Sequence, residues 1–196
     1  DDAALEATAA MVSGRQIPRL RYVGSSPDTA AVIEAGYRRV LLALEQHFST
    51  HRFLMGGRPG ASDFAIYGQL TQLVQFDPTP MALAAESAPR VCAWVRMMED
   101  LSGLEPSDGD WFDVARLPDS LLTLLRETGR LYAPLLLANA QALTAGQAEL
   151  HATIDGQPWV QQAFAYQGKC LAWLKRDHQA LPAQARQHFD AALAGS

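Results

Sequence analysis

The sequence predicts an all-α fold, a helical bundle that carries one small β-hairpin in its C-terminal third. Three observations predict it. Apolar residues recur at three-and-four spacing through most of the chain, the period of a helix with one buried face. Period-two alternation occurs around Asp155-Gly156, where Leu150, Ala152 and Ile154 precede the turn dipeptide and Trp159-Val160-Gln161 follows; that is a hairpin signal. The β-α-β succession that builds a parallel sheet is absent.

Composition supports a globular fold and removes several function classes. The chain has 196 residues, of which 48% are apolar and 19% charged, so a sizeable core can form and disorder is not expected. Sixteen Lys and Arg stand against 21 Asp and Glu, a formal net charge of −5. The cations are scattered and never form a block, so no nucleic-acid partner is expected. No stretch of about twenty apolar residues occurs, so no membrane span is expected. Cys92 and Cys170 cannot make a disulfide framework and read as small packed hydrophobes. No secretory or transit signal precedes the fold, which makes a cytoplasmic address the default. The chain opens at Asp1, without Met and already inside a helical pattern, which predicts a processed, tagged or truncated chain.

The elements follow in order. A first helix runs from Asp1 to about Met11, and Ile17-Pro18 with Gly24-Ser25-Ser26-Pro27 marks an irregular connection. From Asp28 to about Thr50 the residues Ile33, Tyr37, Val40, Leu41, Leu44 and Phe48 fall on one buried face. After a turn at Gly56-Gly57-Arg58-Pro59, a helix spans about Ala61 to Phe76 with Gly60 at its N-cap. Asp63 is then the third helical residue, where a carboxylate accepts from the cap's own N–H: half of a capping box, the hydroxyl half being missing. This helix is apolar almost all round, as a central helix is. Asp77-Pro78-Thr79-Pro80 ends it, and a short turn leads to a helix over Pro89 to Leu101.

Residues 103–110 are a polar, turn-rich break and the best internal boundary, dividing a core of residues 1–102 from an extension of residues 103–196. Pro118 to about Ala145 is helical, with a kink or break at Pro134. The hairpin occupies about 149–163, with Pro158 confined to its edge. Helices over Tyr166–Gln179 and Pro182–Ala194 close the chain.

Little catalytic chemistry is written in the sequence. His47 and His51 share a helix face, yet Phe48 follows the first where a zinc hydrolase has Glu. They read instead as a solvated helix end with imidazoles facing the last carbonyls, and no metal site is expected. No Gly-x-Ser-x-Gly elbow or phosphate-binding Gly-rich loop is present. The carboxylates from Glu99 to Asp113 read as a solvated loop. Arg15, Arg19 and Arg21 with Tyr22 form the densest polar–aromatic group; Arg can grip a carboxylate and Tyr can donate to it, although a plain surface cluster is the favoured reading.

The run Phe53-Leu54-Met55-Gly56-Gly57-Arg58-Pro59-Gly60-Ala61-Ser62-Asp63-Phe64 resembles the capping segment of the glutathione transferase C-terminal domain, where a Phe-Leu-x-Gly turn leads to Ser/Thr-x-x-Asp and the central helix. Pro89 to Met98, with Trp94, is similar to the helix that follows there. The long helix before the motif also stands where that family has one. The resemblance covers about Asp1 to Leu101, and Gly60 replaces the family's hydroxyl residue. It implies a glutathione transferase C-terminal-like helical bundle bearing a helical extension, with Gly60 and Asp63 as its structural capping motif. In that family an N-terminal thioredoxin-like domain binds and activates glutathione. This chain carries no such pattern, so the resemblance assigns it no catalytic residue and no cofactor of its own. Glutathione would be the co-substrate of an intact protein that conjugates or reduces an electrophile. The helical half lends the second-substrate wall, which by analogy points to Arg15 and Tyr22. The missing domain is the implied partner, and a homodimer is the family habit. The competing reading is a non-catalytic helical protein–protein interaction module.

Overall fold

The computed structural model describes residues 1–194. Its elements are α1 (Asp2–Gln16), α2 (Ala30–His47), α3 (Ala61–Leu70), α4 (Pro78–Ser87), α5 (Pro89–Met98), α6 (Asp119–Glu127), α7 (Ala133–Thr144), β1 (Glu149–Ile154), β2 (Gln157–Gln162), α8 (Ala165–Ala180) and α9 (Ala183–Leu193). The fold is helical with one hairpin. Two compact units are formed, residues 1–35 with 130–180, and residues 36–129 with those from 181 onward. The polar break at residues 103–110 lies within the second unit.

In the first unit, the hairpin pairs antiparallel with Ala152 opposite Trp159 and Thr153 opposite Pro158. Asp155 (φ 49°) and Gly156 (φ 79°) both take left-handed conformations, which a two-residue hairpin loop requires. The Arg130 guanidinium donates to Asp155 at 3.0 Å and steadies that turn. Leu150, Ile154 and Trp159 pack with Val32 and Ala142 into the core of this unit. Asn139, fully buried, closes it: Nδ2 donates to the Phe164 carbonyl (3.0 Å) and Oδ1 accepts the Phe164 N–H (2.8 Å).

The second unit is built on Leu41, Leu44, Phe53, Val91 and Val95, all fully buried. Phe48 stacks on Trp94 at 4.5 Å between ring centroids, joining α5 to the residues after α2. The Trp94 Nε1–H donates to the Arg52 carbonyl at 3.0 Å. Glu45 caps α5: one oxygen accepts the backbone N–H of Arg90 (2.8 Å) and of Val91 (3.2 Å), and the other pairs with the Arg90 guanidinium at 2.7 Å.

Four local expectations are corrected. The short turn before Pro89 is a ten-residue helix, α4. Asp77 starts it, accepting the Thr79 N–H at 3.2 Å, with Pro78 at the first helical position, a favoured opening because proline lacks the N–H that would be orphaned there. Ile33, expected on the buried face of α2, is 39% exposed, while its neighbour Val32 is buried. In α3 Asp63 and Leu70 are buried, but Phe64 is 53% exposed, so this apolar helix keeps an open face. His47 is not solvated at all; it is fully buried.

Two helix irregularities take one form; the one before Pro134 was expected and the one inside the predicted Ala61–Phe76 helix was not. Residues 71–76 and 128–132 are wide π-type turns that continue α3 and lead into α7. At the second, Pro134 has no N–H to give to residue 130 and its ring would clash with that carbonyl in a regular helix, which the dilated turn before it avoids. At the first, the Tyr37 hydroxyl lies 3.2 Å from the carbonyls of both Leu73 and Pro80. Burial there pushes the Tyr37 phenol up to about 12.

Candidate functional site

Two places hold the residues that the sequence singles out. The first is the segment from α1 to Gly24. Helix α1 buries none of its side chains, and Arg15 stands exposed in its last turn. Residues 17–23 then wind into a 3-10 turn with Pro18 at its start and Gly24 closing it at φ 77°. Tyr22 is 39% exposed on this turn. Its partner is Arg21 rather than Arg15: Arg21 Nη2 lies 3.3 Å from the Tyr22 hydroxyl, and the guanidinium carbon 5.1 Å from the ring centre. That hydrogen bond and the charge behind it, with a smaller push from Arg19, hold the Tyr22 phenol below its ordinary range. Such a surface presents a cation, a phenol and a polarisable ring together, a set suited to an anionic or electron-poor ligand. Leu5, Met11, Val12, Ile17, Leu20 and Val23 are exposed along the same stretch.

The second place is the capping segment. Asp63 is fully buried. One carboxylate oxygen accepts the Gly60 N–H at 2.9 Å and the other the Leu54 N–H at 2.8 Å. A single side chain thus satisfies the orphan amide at the mouth of α3 and a loop amide that would otherwise be buried without a partner. Gly60 has no hydroxyl to complete the box, and the surroundings supply the reason. A Cβ on Gly60 would stand 3.2 Å from two edge carbons of the Trp111 indole, so even a Ser would crowd that ring. Trp111 is held in place by Arg58, whose guanidinium carbon lies 4.7 Å from the ring centre and which pairs with Asp108 at 3.1 Å. Gly56 makes the close approach possible: at φ 138°, a Cβ there would fall 2.1 Å from the Asp110 carbonyl oxygen. The Gly57 N–H donates to that same oxygen at 2.7 Å.

His47 ties three segments of the second unit together. Its Nε2 faces the Phe53 carbonyl at 3.1 Å, an acceptor only, so Nε2 carries the proton. Nδ1 then accepts the Ser120 hydroxyl at 2.9 Å. Both ring nitrogens are engaged within the chain. The His51 ring lies 4.9 Å away and meets Phe112 edge-on. Among the described residues no group of three His, Cys, Asp or Glu is placed to hold a metal ion. The sequence signal for this burial is position alone: His47 lies three residues after Leu44 and seven after Val40, on the apolar stripe itself.

Two further features bear on binding and reactivity. A shallow cleft of about 440 Å³ is lined by Phe48, His51, Arg52, Arg90, Trp94 and Met97. Cys92 and Cys170 are unbonded and half-buried, and burial pushes the Cys92 thiol up, away from the reactive thiolate. Among the described residues no helix is long and apolar enough to cross a membrane.

Comparison with known proteins bears on the first half of the chain. Residues 3–96 match the family model described as Glutathione S-transferase, C-terminal domain. No curated protein matches the chain, and no solved structure does.

Proposed function

We propose, for a chain whose residues 3–96 belong to the glutathione transferase C-terminal domain family, that it is the second-substrate side of a glutathione transferase-like protein. In this reading a thioredoxin-like domain binds glutathione and lowers the pKa of its thiol. The thiolate attacks an electrophilic carbon on the substrate; a carbon–sulfur bond forms and the leaving group departs with its electron pair. Arg15 and Tyr22 belong to the wall that receives the electrophile, and this chain contributes no group to thiol activation. The intact protein is a cytoplasmic homodimer.

The open face of α3 carries the proposal. A helix with the composition of a bundle centre, anchored at its start by buried Asp63, leaves Phe64 53% exposed. Burying a phenylalanine is worth about 2 kcal/mol, and an apolar face left open on such a helix is the mark of a surface that another domain covers. The exposed apolar side chains between Leu5 and Val23 point the same way. A docking module would use the same face without chemistry.

The test is turnover of a chlorodinitrobenzene-type electrophile with glutathione. The 196-residue chain alone is expected to be inactive, and the native protein active. Turnover by the chain alone, or none by the native protein, would contradict the proposal, and the latter outcome would favour the docking module.

A further inference from the structure

The exposed Arg21–Tyr22 pair is anchored from the hairpin. Gly24, two residues beyond Tyr22, lies directly against the Trp159 indole. A Cβ on Gly24 would stand 2.2 Å from Trp159 Nε1 and 2.4 and 2.6 Å from two ring carbons, so glycine is the residue this contact admits. Trp159 is 6% exposed, packed in the core of its unit, and its Nε1–H is turned to Gln161 Oε1 at 2.9 Å. From the other direction, the buried Thr29 hydroxyl donates to the Gly24 carbonyl at 2.7 Å. The Gly24 N–H returns to the Arg21 carbonyl and the Ser25 N–H to the Leu20 carbonyl, both at 3.1 Å. Residues 20–25 are thus fixed at their C-terminal end, whereas α1 before them buries nothing.

We infer that Trp159 is a positioning residue for the Arg21–Tyr22 surface: the hairpin, packed on Gly24, sets where that pair points. This rests on the reading of the segment as the substrate wall, and it gives the extension beyond residue 103 a part in the site. Trp159 touches no substrate; it acts through Gly24.

The test uses Gly24→Ala, which disturbs the contact without removing a core side chain, and Trp159→Phe, which keeps an aromatic ring there. In Gly24→Ala, amide exchange at Ser25 should accelerate about tenfold while the amides of β1 keep their protection. The Tyr22 phenol, followed by its tyrosinate absorbance with Tyr22→Phe as the blank, should titrate closer to its ordinary range as Arg21 loosens. Trp159→Phe should fall between Gly24→Ala and the parent. In the native protein, Gly24→Ala should raise KM for the electrophile about threefold to tenfold with kcat little changed. Unchanged exchange and an unchanged Tyr22 titration would overturn the anchoring, and shifts in both with KM unmoved would overturn its role at the site. If the native protein shows no turnover, the transferase reading fails, and exchange and titration still decide the anchoring.

Discussion

Ser120 Oγ lies 2.9 Å from Nδ1 of His47, and both residues are buried. The imidazole donates on its far side to the Phe53 carbonyl, so one ring joins the end of α2, the start of the capping segment and the first turn of α6. Replacing Ser120 with Ala leaves Nδ1 buried without a donor. The expected cost is about 1–2 kcal/mol, read as a lower urea midpoint at unchanged m-value.

The same ring makes stability depend on pH. Burial, aided by repulsion from His51, holds the His47 imidazole below the ordinary histidine value of 6.5, against the pull of the Phe53 carbonyl and Asp63. Below 6.5 the unfolded chain takes up a proton that the folded chain refuses, so unfolding gains from acid. The contribution is whole above 6.5 and is lost as pH falls from there to the folded value. Urea midpoints from neutral pH to about pH 5 should decline, and His47→Asn should decline less steeply. Equal slopes would show that His47 does not titrate in this way.

Asp63 should be the costliest polar residue to remove. Asp63→Ala strips the acceptor from two amides, those of Leu54 and Gly60. With a charged acceptor in a buried site, the loss should be on the order of 3 kcal/mol. Asp63→Asn should recover little, because its amide nitrogen would face one of the two N–H groups. Equilibrium unfolding of both variants checks this.

Gly60→Ser inserts the hydroxyl cap, worth only a few tenths of a kcal/mol over glycine. Against that stands crowding of the Trp111 ring at 3.2 Å, so the variant should be less stable by up to about 1 kcal/mol. In a Trp111→Val background the sign should reverse, and a double-mutant cycle measures that coupling. No coupling would mean that Trp111 is not the reason for glycine here.

Glu45→Ala should weaken α5 at its start. The carboxylate is nearly buried, caps two amides and pairs with Arg90. Its loss should cost about 1–2 kcal/mol, with Arg90→Ala costing less because that guanidinium is largely exposed. Thermal unfolding of the pair of variants distinguishes the two contributions.

Much of the architecture was legible in the chain because local chemistry and global fold agree. Asp155-Gly156 set the hairpin turn, and Gly60 with Asp63 set the start of α3 at the residues where they stand. Helix α4 is hidden in the sequence because Asp77-Pro78 both ends one helix and begins the next, so the same dipeptide carries a stop and a start signal. His47 escaped because a polar side chain on an apolar stripe reads as an interruption until its two partners are known, and Ser120 lies 73 residues away. Phe64 shows the opposite limit, since a helix that is apolar almost all round does not reveal which of its faces stays open. Arg15 and Tyr22 came together only through the family analogy, whereas the cation that meets Tyr22 is Arg21, its neighbour in the chain.

The central claim is that a thioredoxin-like domain completes this chain. The intact mass of the native protein, measured by mass spectrometry on material from its own cell, tests it most directly. A mass larger than 21.3 kDa by one small domain is the predicted result. A mass near 21.3 kDa would contradict it and leave a free-standing helical module.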